Sequence, residues 1–312
     1  MAEWMSAHQR YHWQMALQLR LIRLHGDAFQ DFFSSVMSRA YGSDFFPVRP
    51  HGSKGDMGCD GYRQSSGEVF QCYGKQTGSA LKVEYVSNKI KTDFQTAKEK
   101  LHSVMREWCF VHNLVEGMPM QILLLMQELE ASSPPYKISQ KGYYAIEAYV
   151  FQLQEAEIVN LLGPAATAED VQNLQPKELR DLISFVIQGI QGPIDSPPPQ
   201  PVPFEKLDFN QIKNPWRHLV EVNAANARYV RNYLDEHPDP EVGNRVAQFF
   251  KLKYADLKAQ SLPPNLIMTK LYELIVGVGI VTIERQVAAQ ALISYLFDAC
   301  EIFEDHPQKV GL

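Results

Sequence analysis

A proline-rich segment at residues 193–203 limits most strongly how this chain can fold. Six of its eleven residues are proline, which lacks the backbone N–H that helices and sheets use. Such a segment favours extended polyproline II and acts as a semi-rigid spacer. An SH3-type ligand is the alternative, but the flanking arginines are missing. At 312 residues the chain exceeds the usual size of one domain. We therefore predict two domains, residues 1–192 and 206–312, joined by a linker at residues 193–205.

The part before the linker mixes strand and helix patterns. Apolar residues at three-and-four spacing predict a helix that starts at Gly26 and an amphipathic helix over residues 90–104. Short apolar runs at 45–48 and 108–113 predict strands. Residues 119–190 are predicted to be helical. Strands interleaved with helices indicate an α/β domain.

The part after the linker has helical periodicity throughout. Apolar residues recur at helical spacing in four segments, residues 223–234, 241–257, 262–276 and 283–303. The last segment presents a long apolar face. The sequence therefore predicts an all-α C-terminal domain.

A glycine-rich loop with the sequence Gly-Asp-Met-Gly-Cys-Asp-Gly occupies residues 55–61. Glycine adopts backbone angles that other residues avoid, so the loop can hold Asp56 and Asp60 in a tight, partly extended conformation. On composition alone such a run is equally typical of an ordinary turn. The next residues favour a site, because residues 64–67 predict a hairpin turn that leads into a short apolar strand.

Strand geometry predicts which side chains of this hairpin meet. Side chains alternate between the two faces of a strand, so Val69, Gln71 and Tyr73 should share one face. The hairpin then brings Asp60 and Gln71 together. One carboxylate and one carboxamide are oxygen ligands of the kind that Mg²⁺ accepts, with substrate phosphate and water completing the coordination.

The loop and strand resemble the PD-(D/E)XK nuclease superfamily, most closely its Mrr-like branch. The resemblance covers about the first 110 residues and implies a restriction-endonuclease-like fold, with a central mixed sheet flanked by helices. It implies that Asp60, Gln71 and the backbone carbonyl of Cys72 bind Mg²⁺ or Mn²⁺, and that the domain hydrolyses double-stranded DNA. Tyr73 stands where the family has its catalytic lysine, which leaves a degenerate, DNA-binding fold as the alternative.

Two lysines are candidates to replace the missing one. Lys75 lies two residues beyond Tyr73 on the same face, about 6 to 7 Å further along the strand, and Lys54 lies in the preceding loop. Asp56 is a possible accessory acid. The resemblance also implies an accessory side chain from the first helix of the domain, where Gln30 stands; a solvated glutamine is the alternative.

Four lysines on the predicted helix over residues 90–104 and just before it are candidates for DNA contact: Lys89, Lys91, Lys98 and Lys100. An ordinary solvated face is the alternative, since acidic residues lie among them. The net charge of −6 and pI near 5.9 argue against a broadly basic, DNA-coating protein. Any contact with nucleic acid must therefore be local.

The C-terminal sequence carries a second resemblance. Residues 291–304, with Tyr254 in the preceding helix, resemble the C-terminal domain of ABC-three-component bacterial systems, including the nuclease-effector subunits of Lamassu systems. A plain four-helix domain is the alternative. The resemblance implies docking onto an SMC-like ATPase and an accessory subunit.

Together the two resemblances imply an antiviral defence effector. Its nuclease would be held inactive by the SMC-like partner and activated by release or as a homo-oligomer; a non-catalytic DNA-binding or assembly adaptor is the alternative. Four scattered cysteines without zinc-site spacing favour a reducing cytoplasm. No apolar run reaches membrane-spanning length.

Overall fold

The computed structural model describes residues 5–49, 57–76, 79–188, 205–277, 279, 281–299 and 302–304. Its first helix is α1 (Ala7–Arg23). Contacts divide the chain into two units. Unit 1 consists mainly of residues 20–161, and unit 2 combines residues 3–19 with residues 162–312. The predicted linker, apart from its last residue, and the predicted site residues Lys54 and Asp56 lie outside the described residues.

Unit 1 is built on a five-stranded mixed sheet with the order β1-β2-β3-β4-β5. Its strands are β1 (Phe45–Pro47), β2 (Gly61–Arg63), β3 (Glu68–Tyr73), β4 (Glu107–His112) and β5 (Lys137–Lys141). The first three strands pair antiparallel, and β3, β4 and β5 pair parallel. The predicted mixed sheet is confirmed, as is the hairpin turn between β2 and β3.

Five helices accompany the sheet in sequence: α2 (Gly26–Tyr41), α3 (Val83–Lys100), α4 (Met120–Ala131), α5 (Tyr143–Phe151) and α6 (Glu155–Leu162). Apolar residues of α3 pack with Val69, Trp108 and Phe110 on one face of the sheet. On the other face, Phe33 of α2 contacts the ring of Phe70. The sheet is therefore covered on both faces, as expected for an α/β unit.

Strand β5 shows that the prediction of helices alone over residues 119–190 was wrong. Its sequence, Lys-Ile-Ser-Gln-Lys, has a single apolar residue, Ile138, so neither periodicity nor an apolar run indicates a strand. The strand forms because β4 offers a parallel partner, with Trp108 opposite Ile138. Tertiary pairing here outweighs a weak local pattern.

Unit 2 is all helical in its described residues, as predicted. Its further helices are α7 (Ala168–Gln172), α8 (Pro176–Gln188), α9 (Glu205–Phe209), α10 (Trp216–Val222), α11 (Ala224–Asp235), α12 (Val242–Ala259), α13 (Pro264–Val276) and α14 (Ile283–Asp298). Every residue of α14 from Gln286 to Phe297 is buried. This central helix contacts α8, α10, α11 and α13, so its apolar sequence forms the core of the unit.

Helix α1 is part of the core of unit 2. Met15 and Leu19 belong to the same buried cluster as α14, and the indole nitrogen of Trp13 donates to the carbonyl of Gly163 at 3.0 Å. Contacts thus group residues 3–19 and 162–188 with the C-terminal helices, whereas the domain bounds predicted from the sequence followed the proline-rich segment. The domain bounds drawn from the proline-rich composition stay a prediction. None of the described helices is long and apolar enough to cross a membrane.

Unit 2 also contains a buried histidine pair. His12 contacts the Gln290 amide at 2.5 Å, and His8 lies 3.3 Å from a ring nitrogen of His218. Burial and the neighbouring His8 lower the pKa of His12 to about 3, and burial and His218 lower the pKa of His8 to about 4. Both rings are therefore neutral in the folded protein at neutral pH.

Acidification should consequently destabilise unit 2. Below pH 6.5 the imidazole of His12 is protonated in the unfolded chain but stays neutral in the folded protein. This residue should therefore lower the free energy of unfolding by about 1 kcal/mol for each pH unit of acidification. We expect His12→Asn to reduce that slope, measured by urea unfolding between about pH 7 and about pH 5. Substitution of the exposed His102 by asparagine is the control. An equal slope in His12→Asn and the native protein would contradict this assignment.

Candidate functional site

Asp60 is held in place by three hydrogen bonds, two of which join it to strand β3. Its backbone N–H donates to the carbonyl of Phe70 at 2.7 Å, and its carbonyl accepts from Val48 at 2.9 Å. Its carboxylate oxygen Oδ2 accepts from the backbone N–H of Cys72 at 2.7 Å. Because Phe70 and Cys72 are the two neighbours of Gln71 in the strand, these bonds place Asp60 next to the backbone of β3 at Gln71.

Gln71 is buried, with 4% of its surface exposed. By strand alternation its side chain lies on the sheet face that α3 covers, with Val69 and Tyr73. Its carboxamide oxygen Oε1 is buried and accepts no hydrogen bond from any described residue. A buried oxygen without a donor costs about 1–3 kcal/mol. The structure therefore places Asp60 next to the backbone of β3 on either side of Gln71, whose carboxamide oxygen is buried without a donor among the described residues.

The turn that carries Asp60 is fixed on helix α3. Gly58 has a φ of 71°, and a Cβ at this position would lie 2.4 Å from the backbone oxygen of Asp93. The indole nitrogen of Trp108 donates to the Gly58 carbonyl at 3.4 Å. Only glycine fits this conformation and this close approach. Glycine at position 58 therefore allows the turn that precedes Asp60 to pack closely against the backbone of α3.

Tyr73 is a neutral side chain that packs on its neighbours in the sheet. Its ring stacks on Phe110, with centroids 5.8 Å apart and an angle of 21° between the planes. Burial raises the pKa of the Tyr73 phenol, so the group is neutral at physiological pH. The side chain is part of the packing between β3 and α3.

Lys75 follows β3, and its backbone is held by hydrogen bonds to the side chain of Asn113. Its N–H donates to Asn113 Oδ1 at 2.8 Å, and its carbonyl accepts from the Asn113 amide at 3.0 Å. The preceding Gly74 is in close contact with the backbone of His25 and Gly26. No ion pair joins the Lys75 ammonium to an acid within the described ranges. The structure thus fixes the backbone of Lys75 but not its side chain at Asp60.

Gln30 supports the site indirectly. It is buried, with 8% of its surface exposed, so the alternative of a solvated glutamine is wrong. Its amide donates to the carbonyl of Val48 at 3.2 Å, and the N–H of Val48 donates to Asp60. Gln30 therefore fixes the backbone of Val48, which in turn hydrogen-bonds to Asp60.

The four candidate lysines of α3 do not form a single row. Residues seven or eleven apart share a side of a helix, which puts Lys91 with Lys98 and Lys89 with Lys100. Lys98 donates to the hydroxyl of Ser133 at 3.1 Å, and Lys89 pairs with Asp93 at 2.7 Å. Lys91 and Lys100 are exposed. A continuous basic face along α3 is therefore not present.

The described cysteines are buried and unoxidised: Cys59, Cys72 and Cys109. Burial and the nearby Asp60 carboxylate raise the pKa of the Cys72 thiol well above its usual value. A neutral thiol is a poor ligand for a hard cation. Any contribution of Cys72 to a magnesium site would thus come from its backbone carbonyl.

A second acidic group, absent from the sequence-based predictions, lies elsewhere in unit 1. The ligand atoms of Glu68, Glu107 and Cys109 lie within 4.8 Å of one another. Arg63 and Lys141 form ion pairs with these carboxylates, so the charges are balanced by the protein itself. The pairing of Glu68 with Glu107 depends on the parallel register of β3 and β4, which the sequence pattern does not contain.

Comparison with known families concerns the C-terminal part of the chain. Residues 177–304 match the family model of C-terminal domain 10 of the ABC-three component systems. A domain of this family in the C-terminal part of the chain indicates a component of an ABC-three-component defence system. No curated protein and no solved structure matches the chain. The predicted resemblance to the C-terminal domain of ABC-three-component systems is therefore confirmed for residues 177–304.

Proposed function

We propose that this ABC-three-component protein is a metal-dependent DNA endonuclease, the effector of a bacterial anti-phage and anti-plasmid defence complex. The observation that carries the proposal is the Gln71 carboxamide oxygen, buried without a hydrogen-bond donor among the described residues. The next residue of the same strand, Cys72, donates its backbone N–H to the Asp60 carboxylate at 2.7 Å, which supports a shared site. A ligand for the carboxamide oxygen of Gln71 accounts for its burial.

The residues present suit a hard divalent cation. Asp60 and Gln71 offer a carboxylate and a carboxamide oxygen, and the backbone carbonyl of Cys72 is a third candidate. Mg²⁺ and Mn²⁺ prefer such oxygen ligands and retain sites for water and phosphate. A divalent ion held there would lower the pKa of the attacking water and offset charge on the phosphate.

The protein's own part in the reaction is positioning. The carboxylate of Asp60 is oriented by the backbone N–H of Cys72, and Gln30, through Val48, holds the backbone carbonyl of Asp60. Because the carboxylate accepts from a backbone group, it has little freedom to turn. Preorganised groups of this kind contribute to catalysis without reorganising during the reaction.

The matched C-terminal region supports the assembly part of the proposal. Unit 2 buries its central helix α14 on all sides and carries the ABC-three-component match. We propose that this unit docks onto an SMC-like ATPase and an accessory subunit in the bacterial cytoplasm, and that release or homo-oligomerisation activates unit 1. Since the net charge is −6, grouping several protomers on double-stranded DNA would supply contacts that one subunit lacks.

A second function, a DNA-binding or assembly adaptor without catalysis, is favoured by Tyr73. Its phenol is stacked in the protein core and neutral, so this position of β3 supplies no cation to a phosphate. The adaptor and the nuclease share the same fold and partners. They differ in whether DNA is cut.

The two functions are separated by incubating linear double-stranded DNA with the purified chain and Mg²⁺ or Mn²⁺. The chain is assayed alone and as a dimer forced by a fused coiled coil. We expect cleavage by the forced dimer, abolished by a chelator, because the proposed site needs a divalent ion. DNA that stays intact in every preparation, including the complex with its native partners, would replace the nuclease with the adaptor.

A further inference from the structure

Helix α3 carries a lysine, Lys89, at the edge of the side that packs on the sheet. The buried side of α3 consists of Val86, Ile90, Phe94 and Ala97, which pack on the sheet face of Gln71. Lys89 lies at the border of this buried side, with 27% of its side chain exposed. Its ammonium forms an ion pair with Asp93, one turn further along the helix, at 2.7 Å.

Asp93 places this ion pair at the turn that carries Asp60. The backbone oxygen of Asp93 is so close to Gly58 that a Cβ there would lie 2.4 Å away. Gly58 precedes Asp60 by two positions along the chain. The Lys89–Asp93 pair is therefore packed where the Asp60 turn meets α3.

The charges of the site are coupled to Lys89. Burial alone would lower the pKa of Lys89, but the carboxylates of Asp93 and, more weakly, Asp60 outweigh it and raise the pKa. The positive charge of Lys89 also opposes the raised pKa of Tyr73. Lys89 thus stays protonated, and its charge interacts with both Asp60 and Tyr73.

We propose that Lys89 of α3, not a residue of β3, supplies the cation that contacts the scissile phosphate at the Asp60–Gln71 site. This inference rests on the proposed nuclease function and assigns one of its residues. An ammonium has three N–H donors; one faces Asp93, and the others are available to a non-bridging phosphate oxygen. In the reaction, water oxygen bonds to phosphorus while the bond to the leaving oxygen breaks. The water's proton passes to solvent, and the leaving oxygen gains one from solvent.

The other cations near the site are engaged differently. Lys75 is held by its backbone to Asn113, and Lys98 donates to Ser133. Arg49, which influences the Cys72 thiol, pairs with Asp31. Lys89 is the one whose charge the structure couples to both Asp60 and Tyr73 within the described ranges.

The test uses the full chain with Lys89→Met and Lys89→Arg, and Lys137→Met as the matched control. Lys137 is an exposed lysine of the same unit, at the start of β5. We expect Lys89→Met to lower the rate of DNA cleavage about 100-fold, because it removes a preorganised donor to the transition state. Lys89→Arg should recover part of the rate, and Lys137→Met should stay within about threefold of the native protein.

A second readout does not depend on cleavage. Removing a positive charge beside Asp60 should tighten Mn²⁺ binding about threefold, measured by calorimetry, while the thermal midpoint reports whether the variants are folded. Unchanged Mn²⁺ affinity in folded Lys89→Met, or cleavage within about threefold of the native rate, would overturn the assignment of Lys89. Cleavage absent from the native protein would overturn the proposed nuclease instead, and the Mn²⁺ measurement would still decide whether Lys89 lies at the site.

Discussion

Replacing Asp60 with asparagine is expected to lower DNA cleavage by about 100-fold or more, because the substitution removes the only carboxylate assigned to the divalent ion. Asparagine is the chosen replacement because its carbonyl oxygen can still accept the hydrogen bond that Cys72 donates at 2.7 Å. The fold around β3 should then persist. Cleavage is measured on linear DNA with Mg²⁺ and with Mn²⁺.

The control for this substitution is Glu128→Gln, which removes one negative charge from an exposed position of α4. It should cleave DNA at close to the native rate, since exposed charges away from the site contribute little. Co-purification with the partner subunits should be intact in both variants, because Asp60 lies in unit 1. Native cleavage by the folded Asp60→Asn protein would remove Asp60 from the mechanism.

Replacing Lys206 with methionine is expected to destabilise unit 2 by about 3 kcal/mol, since it leaves buried polar groups without a donor. Lys206 is completely buried. Its ammonium donates to the carbonyls of Phe297 at 2.7 Å and Ile302 at 2.9 Å, and it lies 4.7 Å from the centre of the Phe297 ring. The residue thus holds the C-terminal end of the core helix α14.

Urea unfolding measures this loss, and hydrogen exchange of the α14 amides locates it in unit 2. The matched control is Lys213→Met, because Lys213 is exposed and its hydrogen bonds to Asn265 are made by its backbone N–H and carbonyl. We expect the control to change stability by less than about 0.5 kcal/mol. Equal midpoints for Lys206→Met and Lys213→Met would show that the buried ammonium does not stabilise α14.

Much of the secondary structure was predictable because it follows from local periodicity. The apolar spacing that predicted α2 and α3 is the spacing by which these helices cover the sheet. The same holds for α14, whose nearly continuous apolar sequence corresponds to burial on all sides. In each case the pattern along the chain corresponds directly to the burial in the fold.

Other features depended on contacts between distant segments. Strand β5 has one apolar residue and exists through its pairing with β4. The histidine and lysine residues inside unit 2, His12 and Lys206, are polar types usually found at the surface. Their burial is explained by Gln290 and by the end of α14, which lie far away in the chain.

The candidate site was predictable from the sequence only in part. The sequence predicted that Asp60 and Gln71 meet, because a short hairpin fixes which strand residues lie near its start. It did not predict the place of Lys89, since that depends on how Gly58 packs against α3. A helix lysine in a mixed-charge segment has no feature in the sequence that separates a site residue from a solvated one.

The proposed function requires that Asp60 and Gln71 bind one divalent ion together. Mn²⁺ titration of the full chain, followed by calorimetry and by electron paramagnetic resonance, measures this binding without relying on cleavage. We predict a single bound Mn²⁺ in the native protein, with affinity lowered about 10-fold or more by either Asp60→Asn or Gln71→Leu. Native Mn²⁺ binding that both folded variants retain, or no Mn²⁺ bound by the native chain with DNA present, would show that these two residues do not form a metal site.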